Sequence, residues 1–251
     1  MIPVWLTVDT DDLRHVPTSQ GHPTRSRGKP HEGTSPQMLE AMASFDEWLD
    51  RTQVSLTLFV IADQLDDPVF SEWLENLIDK HPQITIGCHG LTHRCWSAYP
   101  QDEEGLLAAL VEADIKLHDF AGKAWRPWFR APAGYIAPWM APVIAKAGFE
   151  LDSSVNPSWL VKRKAGPWKD WNAVQSALKD SGLISKPWLC KFSLPTCGPA
   201  LSIPFLRWNA KRAWKRLGPF VNPYEAEKTV YWHLLDHRRN GGAWKPPLML
   251  D

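Results

Sequence analysis

The sequence predicts an α/β fold built on a parallel sheet or barrel, and three observations carry that expectation. Apolar stretches of strand length alternate with stretches of helical period over residues 4–155. Helix starts carry recognisable caps. The residues suited to chemistry, Asp9, His89 and Arg130, fall at the carboxyl ends of predicted strands, where parallel α/β folds place their working groups.

The first strand is predicted over 4–9, Val4-Trp5-Leu6-Thr7-Val8-Asp9, and runs into Thr10-Asp11-Asp12. Alternate side chains of an extended strand share a face, so Asp9 and Asp11 project together while Thr10 turns away. Residues 13–35 then form a long polar loop with His15, His22, His31 and several cations, either a lid over the site or a disordered segment. Its cations suit an anionic group on a substrate.

A helix follows over 36–51, where Ser35 is the N-cap, Pro36 the first-turn residue, and Met38, Met42, Phe45 and Leu49 recur at helical spacing. Strands are predicted over 54–60, 84–88, 126–130 and 149–155, and helices over 68–80, 101–120 and 137–147. Beyond residue 156 the pattern weakens. Residues 157–222 read as a Trp-rich irregular insertion with one strand-like run, Leu189–Leu194, and a short basic helix from Arg207 to Leu217, read first as a solvated face whose Trp214 packs inward, with contact to anionic lipid as the alternative. Asn222-Pro223-Tyr224-Glu225 has the form of a helix start, predicting a helix as far as Gly241-Gly242, with a last strand at Pro247–Leu250. No linker divides the chain, so residues 1–251 read as one domain.

Composition narrows the function classes. Twenty-eight basic residues balance 28 acidic ones, which gives no bulk attraction to nucleic acid. No apolar run approaches the roughly 20 residues that span a bilayer, and no secretion signal opens the chain, so a cytoplasmic protein is expected. Cys88, Cys95, Cys190 and Cys197 form no Cys-x-x-Cys pair and read as reduced thiols. Eleven of the 15 tryptophans lie beyond residue 121, and they read first as large core residues with a wet edge, with faces for sugar rings as the alternative.

The chemistry gathers in three stretches. Gly87-Cys88-His89-Gly90-Leu91-Thr92-His93 places two imidazoles four residues apart just after a strand, spaced to share one cation. The acid pair at the end of the first strand can supply a carboxylate ligand and a proton acceptor. Two imidazoles and one carboxylate leave a position open for water, which marks catalytic metals. Phe129-Arg130-Ala131-Pro132-Ala133-Gly134-Tyr135 puts an arginine before a proline- and glycine-bearing turn, able to orient a carboxylate and aim backbone N–H groups into a site.

Taken together these stretches resemble the polysaccharide deacetylases of the NodB-homology family, carbohydrate esterase family four. The matching motifs are Leu6–Asp11, His89–His93, Arg130-Ala131-Pro132-Ala133-Gly134 and Gly148–Val155, in the family's order over residues 4–156. The resemblance implies a distorted (β/α) barrel with one divalent metal, zinc first and cobalt, manganese or nickel as alternatives. It implies Asp11, His89 and His93 as ligands, Asp9 as general base, and Arg130 as its tether. Pro132 and the Tyr135 backbone N–H would serve substrate and oxyanion. Such a metal lowers the pKa of its water towards about 7, and Asp9 takes the proton as an amide carbonyl is attacked.

Two departures stand out. Thr10 separates the acids, as in the Asp-x-Asp subgroup acting on cell-surface and lipid-linked sugars; strand geometry favours Asp11 over Asp12 as ligand. The family's general-acid histidine on the last strand also has no counterpart at Leu250-Asp251. Val230-Tyr231-Trp232-His233 imitates that motif, but inside a predicted helix, which leaves His233 and His237 as weak substitutes. The expected function is therefore removal of an N-acetyl, or else an N-formyl, group from a lipid-linked or nucleotide-linked amino sugar in surface polysaccharide or glycolipid synthesis. The alternatives are a carbohydrate-binding pseudoenzyme, favoured by the missing acid, and a deacetylase of small non-sugar amides.

Overall fold

The computed structural model describes residues 1–27, 32–168 and 170–238. Six strands follow in chain order across a parallel sheet: β1 (Ile2–Asp9), β2 (Leu56–Val60), β3 (Ile84–Cys88), β4 (Trp125–Phe129), β5 (Leu151–Asp152) and β6 (Ile184–Ser185). Outside it, β7 (Cys190–Lys191) and β8 (Leu194–Pro195) pair antiparallel. The chain then returns to β1, first with β9 (Leu217–Phe220) and then with β10 (Lys228–His233). The resulting order, β10-β1-β2-β3-β4-β5-β6, is parallel throughout and curls into the expected distorted (β/α) barrel.

The period-two pattern of β1 sets the two layers. Val4, Leu6 and Val8 belong to the large cluster beneath the helices, which Met38, Met42, Phe45 and Leu49 of α1 (Pro36–Thr52) also join. Burying each such side chain is worth about 1.5–3 kcal/mol. Ser35 caps α1 as its sequence requires, accepting from the Met38 N–H at 3.1 Å. On the opposite face Trp5 meets Phe59 and Trp128 edge-on, at 5.6 and 5.3 Å between ring centroids, and its indole N–H donates to Thr57 Oγ1. Thr7 and Asp9 continue this inner face, so Asp9 stands above an aromatic floor.

Helices α2 (Pro68–Lys80), α3 (Glu103–Ala121) and α4 (Met140–Lys146) lie near their predicted spans, α4 shorter at both ends, and the strand predicted over 149–155 shortens to β5. Among the described residues no helix is long and apolar enough to cross a membrane. All four cysteines are free thiols.

Three expectations are corrected. Residues 157–222 are not simply irregular, for they contain β6, α5 (Trp171–Asp180) and α6 (Pro204–Trp214). The run Leu189–Leu194 is a hairpin rather than one strand, turning at Phe192 and Ser193 with φ of 53° and 54°. The helix predicted from Asn222 is β10. Asn222 Oδ1 does accept from the N–H groups of Tyr224 and Glu225, yet the turn stops there. Thr229-Val230-Tyr231-Trp232 is β-branched and aromatic and pairs with β1 over six residues, and that register outweighs the local cap. The strand predicted at Pro247–Leu250 and the end of that helix at Gly241-Gly242 lie outside the described residues.

Candidate active site

The site forms above the inner face of β1. Thr10 turns outward: its hydroxyl donates to Gln64 Oε1 at 2.6 Å, while Gln64 Nε2 donates to the Thr10 carbonyl at 2.8 Å. Locking Thr10 leaves Asp9 and Asp11 together on the cavity side. Asp12 turns away and takes structural work, accepting from the Leu13 and Ser35 N–H groups and from the Ser35 hydroxyl.

Arg130, fully buried just after β4, reaches Asp9 Oδ1 through Nη1 at 2.5 Å. Its Nη2 donates to Thr7 Oγ1 and Ser153 Oγ, and its Nε to the Ser153 carbonyl. The guanidinium lies 4.1 Å from the Phe59 ring centroid. Such a cage fixes the Asp9 carboxylate in one orientation.

His89 Nδ1 lies 2.8 Å from the Arg130 carbonyl, a contact that requires the proton on Nδ1 and turns the Nε2 lone pair towards Asp11 Oδ2, 3.5 Å away. His93 Nε2 approaches Asp11 Oδ1 at 2.5 Å. The chain between the histidines is a loop, not a helical turn. Gly90, at φ +91°, makes that possible, since a Cβ there would meet the Thr92 carbonyl at 2.8 Å.

One donor atom from each of Asp11, His89 and His93 lies within 4.8 Å of the others. Asp11 Oδ2 is buried without a hydrogen-bond partner, which is what a cation among these groups would resolve. Two imidazoles and a carboxylate suit zinc and its borderline neighbours. Burial alone would raise the Asp11 carboxyl, but His93 and His89 beside it hold it well below its ordinary value. The donor set thus fits a divalent cation.

The residue that sequence reasoning discounted completes the cavity. His233 ends β10 directly opposite Asp9 in register. Its Nε2 is 3.8 Å from Asp11 Oδ2 and its Nδ1 is 3.6 Å from Asp236 Oδ2. Burial disfavours its charge, but hydrogen bonding to Asp236, with Asp11 and Asp9 near, pushes the imidazole up to about 9. The signal was legible as alternation, Tyr231 and His233 inward against Val230 and Trp232 outward. His237 sits elsewhere, accepting from the Trp232 indole N–H and packed on Phe45 and Trp48.

Two further expectations need correction. The Tyr135 N–H already donates to the Pro132 carbonyl at 3.1 Å, so it is not an open oxyanion donor. Pro132 itself does not line the cavity but packs where a Cβ on Gly90 would touch its ring at 3.2 Å. The Tyr135 ring does line it, with Trp188 and Tyr231. Residues 13–27 of the long loop cover the opening, since Val16, Pro17 and Arg25 contribute to its wall. Gly21 lets the loop seat against His93, whose carbonyl a Cβ would meet at 1.9 Å, and the Gly21 carbonyl accepts from the Cys95 N–H. His31 and Lys29 lie outside the described residues. The cavity holds about 360 Å³, room for a sugar and its substituent.

The sequence matches no family model and no curated protein. In structure it is similar to a candidate polysaccharide deacetylase from Mycobacterium smegmatis, with TM-score 0.60 and 19% identity over 96% of this chain and 80% of that one. A second candidate polysaccharide deacetylase, from Pseudomonas aeruginosa, gives 0.50 and 11% over 96% and 81%. A 4-alpha-glucanotransferase from Thermococcus litoralis gives 0.52 and 11% over 98% of this chain and 36% of that one. The chain therefore has the fold found in polysaccharide deacetylases. Because one fold carries more than one named activity, the chemistry must be argued from the residues.

Proposed function

We propose that this chain is a metal-dependent amidohydrolase that removes an N-acetyl, or less readily an N-formyl, group from an amino sugar. One observation supports the reading above others: a cation-ready triad, Asp11, His89 and His93, shares one cavity with a tethered carboxylate, Asp9, and an imidazole, His233, whose donor atoms lie within 4.8 Å of each other and of one from Asp11. A divalent cation there, zinc by the donor set, would supply Lewis acidity to water and to the amide carbonyl.

The chain's own groups supply the rest. Arg130 fixes Asp9 so that one oxygen is committed and the other can accept a proton from the attacking water. His233, cationic by virtue of Asp236, gives its proton to the departing nitrogen, so that an amine and not an amide anion leaves. Amide hydrolysis needs a base for the attacking water and an acid for the departing nitrogen, and these two groups would supply them. Trp188, Tyr231 and Tyr135 give flat apolar walls suited to a sugar ring. Against a binding-only protein, the reading is supported by His233 at the end of β10, in register with Asp9.

The test is acetate release from N-acetylated nucleotide sugars and oligosaccharides by protein stripped of metal and then reloaded with zinc or cobalt. Release that returns with metal and is lost in Asp9→Asn supports the reading. Stoichiometric metal binding with no release from any member of the panel would sink it.

A further inference from the structure

The cavity wall also carries three cations: Arg25 from the covering loop, and Arg163 and Lys164 from the irregular 3₁₀ segment Trp159–Trp168. Tyr135 joins them. Arg25 lies 5.6 Å and Lys164 Nζ 5.7 Å from its ring centroid, and its hydroxyl is buried with no hydrogen-bond partner. Tyr135 is 2% exposed. Among the described residues no carboxylate comes within ion-pair distance of these cations. The acid whose field reaches Lys164 is Asp11, already committed to two imidazoles. Arg163 and Arg25 stand close enough to repel one another. Like charges gathered on one wall, around an unsatisfied phenol, cost free energy unless something negative sits among them.

We infer that Arg25, Arg163, Lys164 and the Tyr135 hydroxyl form a subsite for a phosphate or diphosphate carried by the sugar. Three cations exceed what a single carboxylate needs and match the two or more charges of a phosphoryl group, with guanidinium forks suited to its oxygens. This rests on the amino-sugar reading and narrows its substrate class to phosphate-bearing sugars, whether the phosphate links to a nucleotide, to a lipid, or is free.

Calorimetric titration of the metal-stripped full chain with N-acetylglucosamine 1-phosphate and with neutral N-acetylglucosamine tests it without requiring turnover. The phosphorylated sugar should bind at least tenfold tighter, and Arg25→Gln and Arg163→Gln should each erase most of that preference at unchanged Tm. Equal affinity for the two sugars, or a preference that survives both variants, would overturn the subsite. The reloaded enzyme separates the two readings. Equal kcat/KM on both sugars keeps the deacetylase and discards the subsite; charge-selective binding without acetate release does the reverse.

A second, independent observation concerns the outer surface. Although the chain is neutral overall, residues 157–222 hold 12 of its 28 basic residues, ten besides Arg163 and Lys164 of the cavity wall, and only two of its 28 acidic ones. On that segment Trp159, Phe192, Phe205 and Trp208 are 57, 81, 61 and 54% exposed. They lie on linked elements. The Trp159 N–H donates to the Ser193 carbonyl at the hairpin tip, and Asn209 of α6 donates to the Lys191 carbonyl. Helix α6 buries Leu206, Ala210 and Trp214 and turns Phe205, Trp208 and Arg212 outward, with Arg212 stacked 4.6 Å from Trp208. Phe192 keeps a left-handed φ that a bulky residue adopts only at a cost, and packs on no core there.

The geometry points to docking of this basic, aromatic face on an anionic bilayer surface, the cations meeting headgroups and the rings entering the interface. Co-sedimentation of the full chain with vesicles of phosphatidylcholine and phosphatidylglycerol should exceed that with phosphatidylcholine alone by tenfold or more. Phe205→Ser with Trp208→Ser should abolish it at unchanged Tm. Failure to sediment with the anionic vesicles, or binding that the double variant retains, would overturn the assignment. So would a preference for single-stranded nucleic acid over the vesicles.

Discussion

His233 faces Asp9 across the β1–β10 pairing, with its Nε2 3.8 Å from Asp11 Oδ2. That register brings together two residues 224 apart in the chain, and a donor atom from each lies within 4.8 Å of the other and of one from Asp11. If His233 is the proton donor, His233→Ala should retain metal and fold while kcat falls by about 10²–10⁴-fold, the usual contribution of general acid catalysis. Loss of metal in that variant would instead make His233 a ligand.

Asp236 is the largest of the groups that raise His233. The rate requires the protonated imidazole, so it should fall as pH rises through the His233 pKa. Asp236→Asn removes the leading cause of the upward shift, and the alkaline limb of kcat/KM should move to lower pH. A limb that stays in place would assign it to another group.

Asp11→Ala and His93→Ala should each lose the bound metal, measured as metal per chain after dialysis. Asp9→Asn should keep it and lose turnover. A chain that keeps one metal without Asp11 would strike that residue from the ligand set.

Arg130 is buried and bound to Asp9, Thr7 and Ser153, so its removal leaves a carboxylate and a hydroxyl without their donor. Arg130→Ala should cost about 3–5 kcal/mol, read from urea unfolding, in addition to activity. A loss below about 1 kcal/mol would show that the cage relaxes.

Gly21→Ala should prise the covering loop off His93, since the added methyl would strike the His93 carbonyl. Easier proteolysis of residues 13–27 is expected, with the sheet intact by circular dichroism. A chain as resistant as the parent would mean that the loop seats without this contact.

Local sequence carries the barrel's first half and most of the candidate site. Period-two and period-3.6 patterns are local, and so are caps such as Ser35-Pro36. The acid pair, the two histidines and the arginine turn each sit within a few residues at a strand end. The rest depends on contacts between residues far apart in the chain. Asn222-Pro223 satisfies the local criteria for a helix start, yet pairing with β1 makes a strand of residues 228–233, because six residues of ladder and a buried Val230 and Trp232 outweigh one cap. That choice brings His233 to Asp9. The gathering of Arg25 with Arg163 and Lys164 was likewise invisible in a chain that separates them by more than 130 residues, since charge convergence depends on distance in space and not along the sequence.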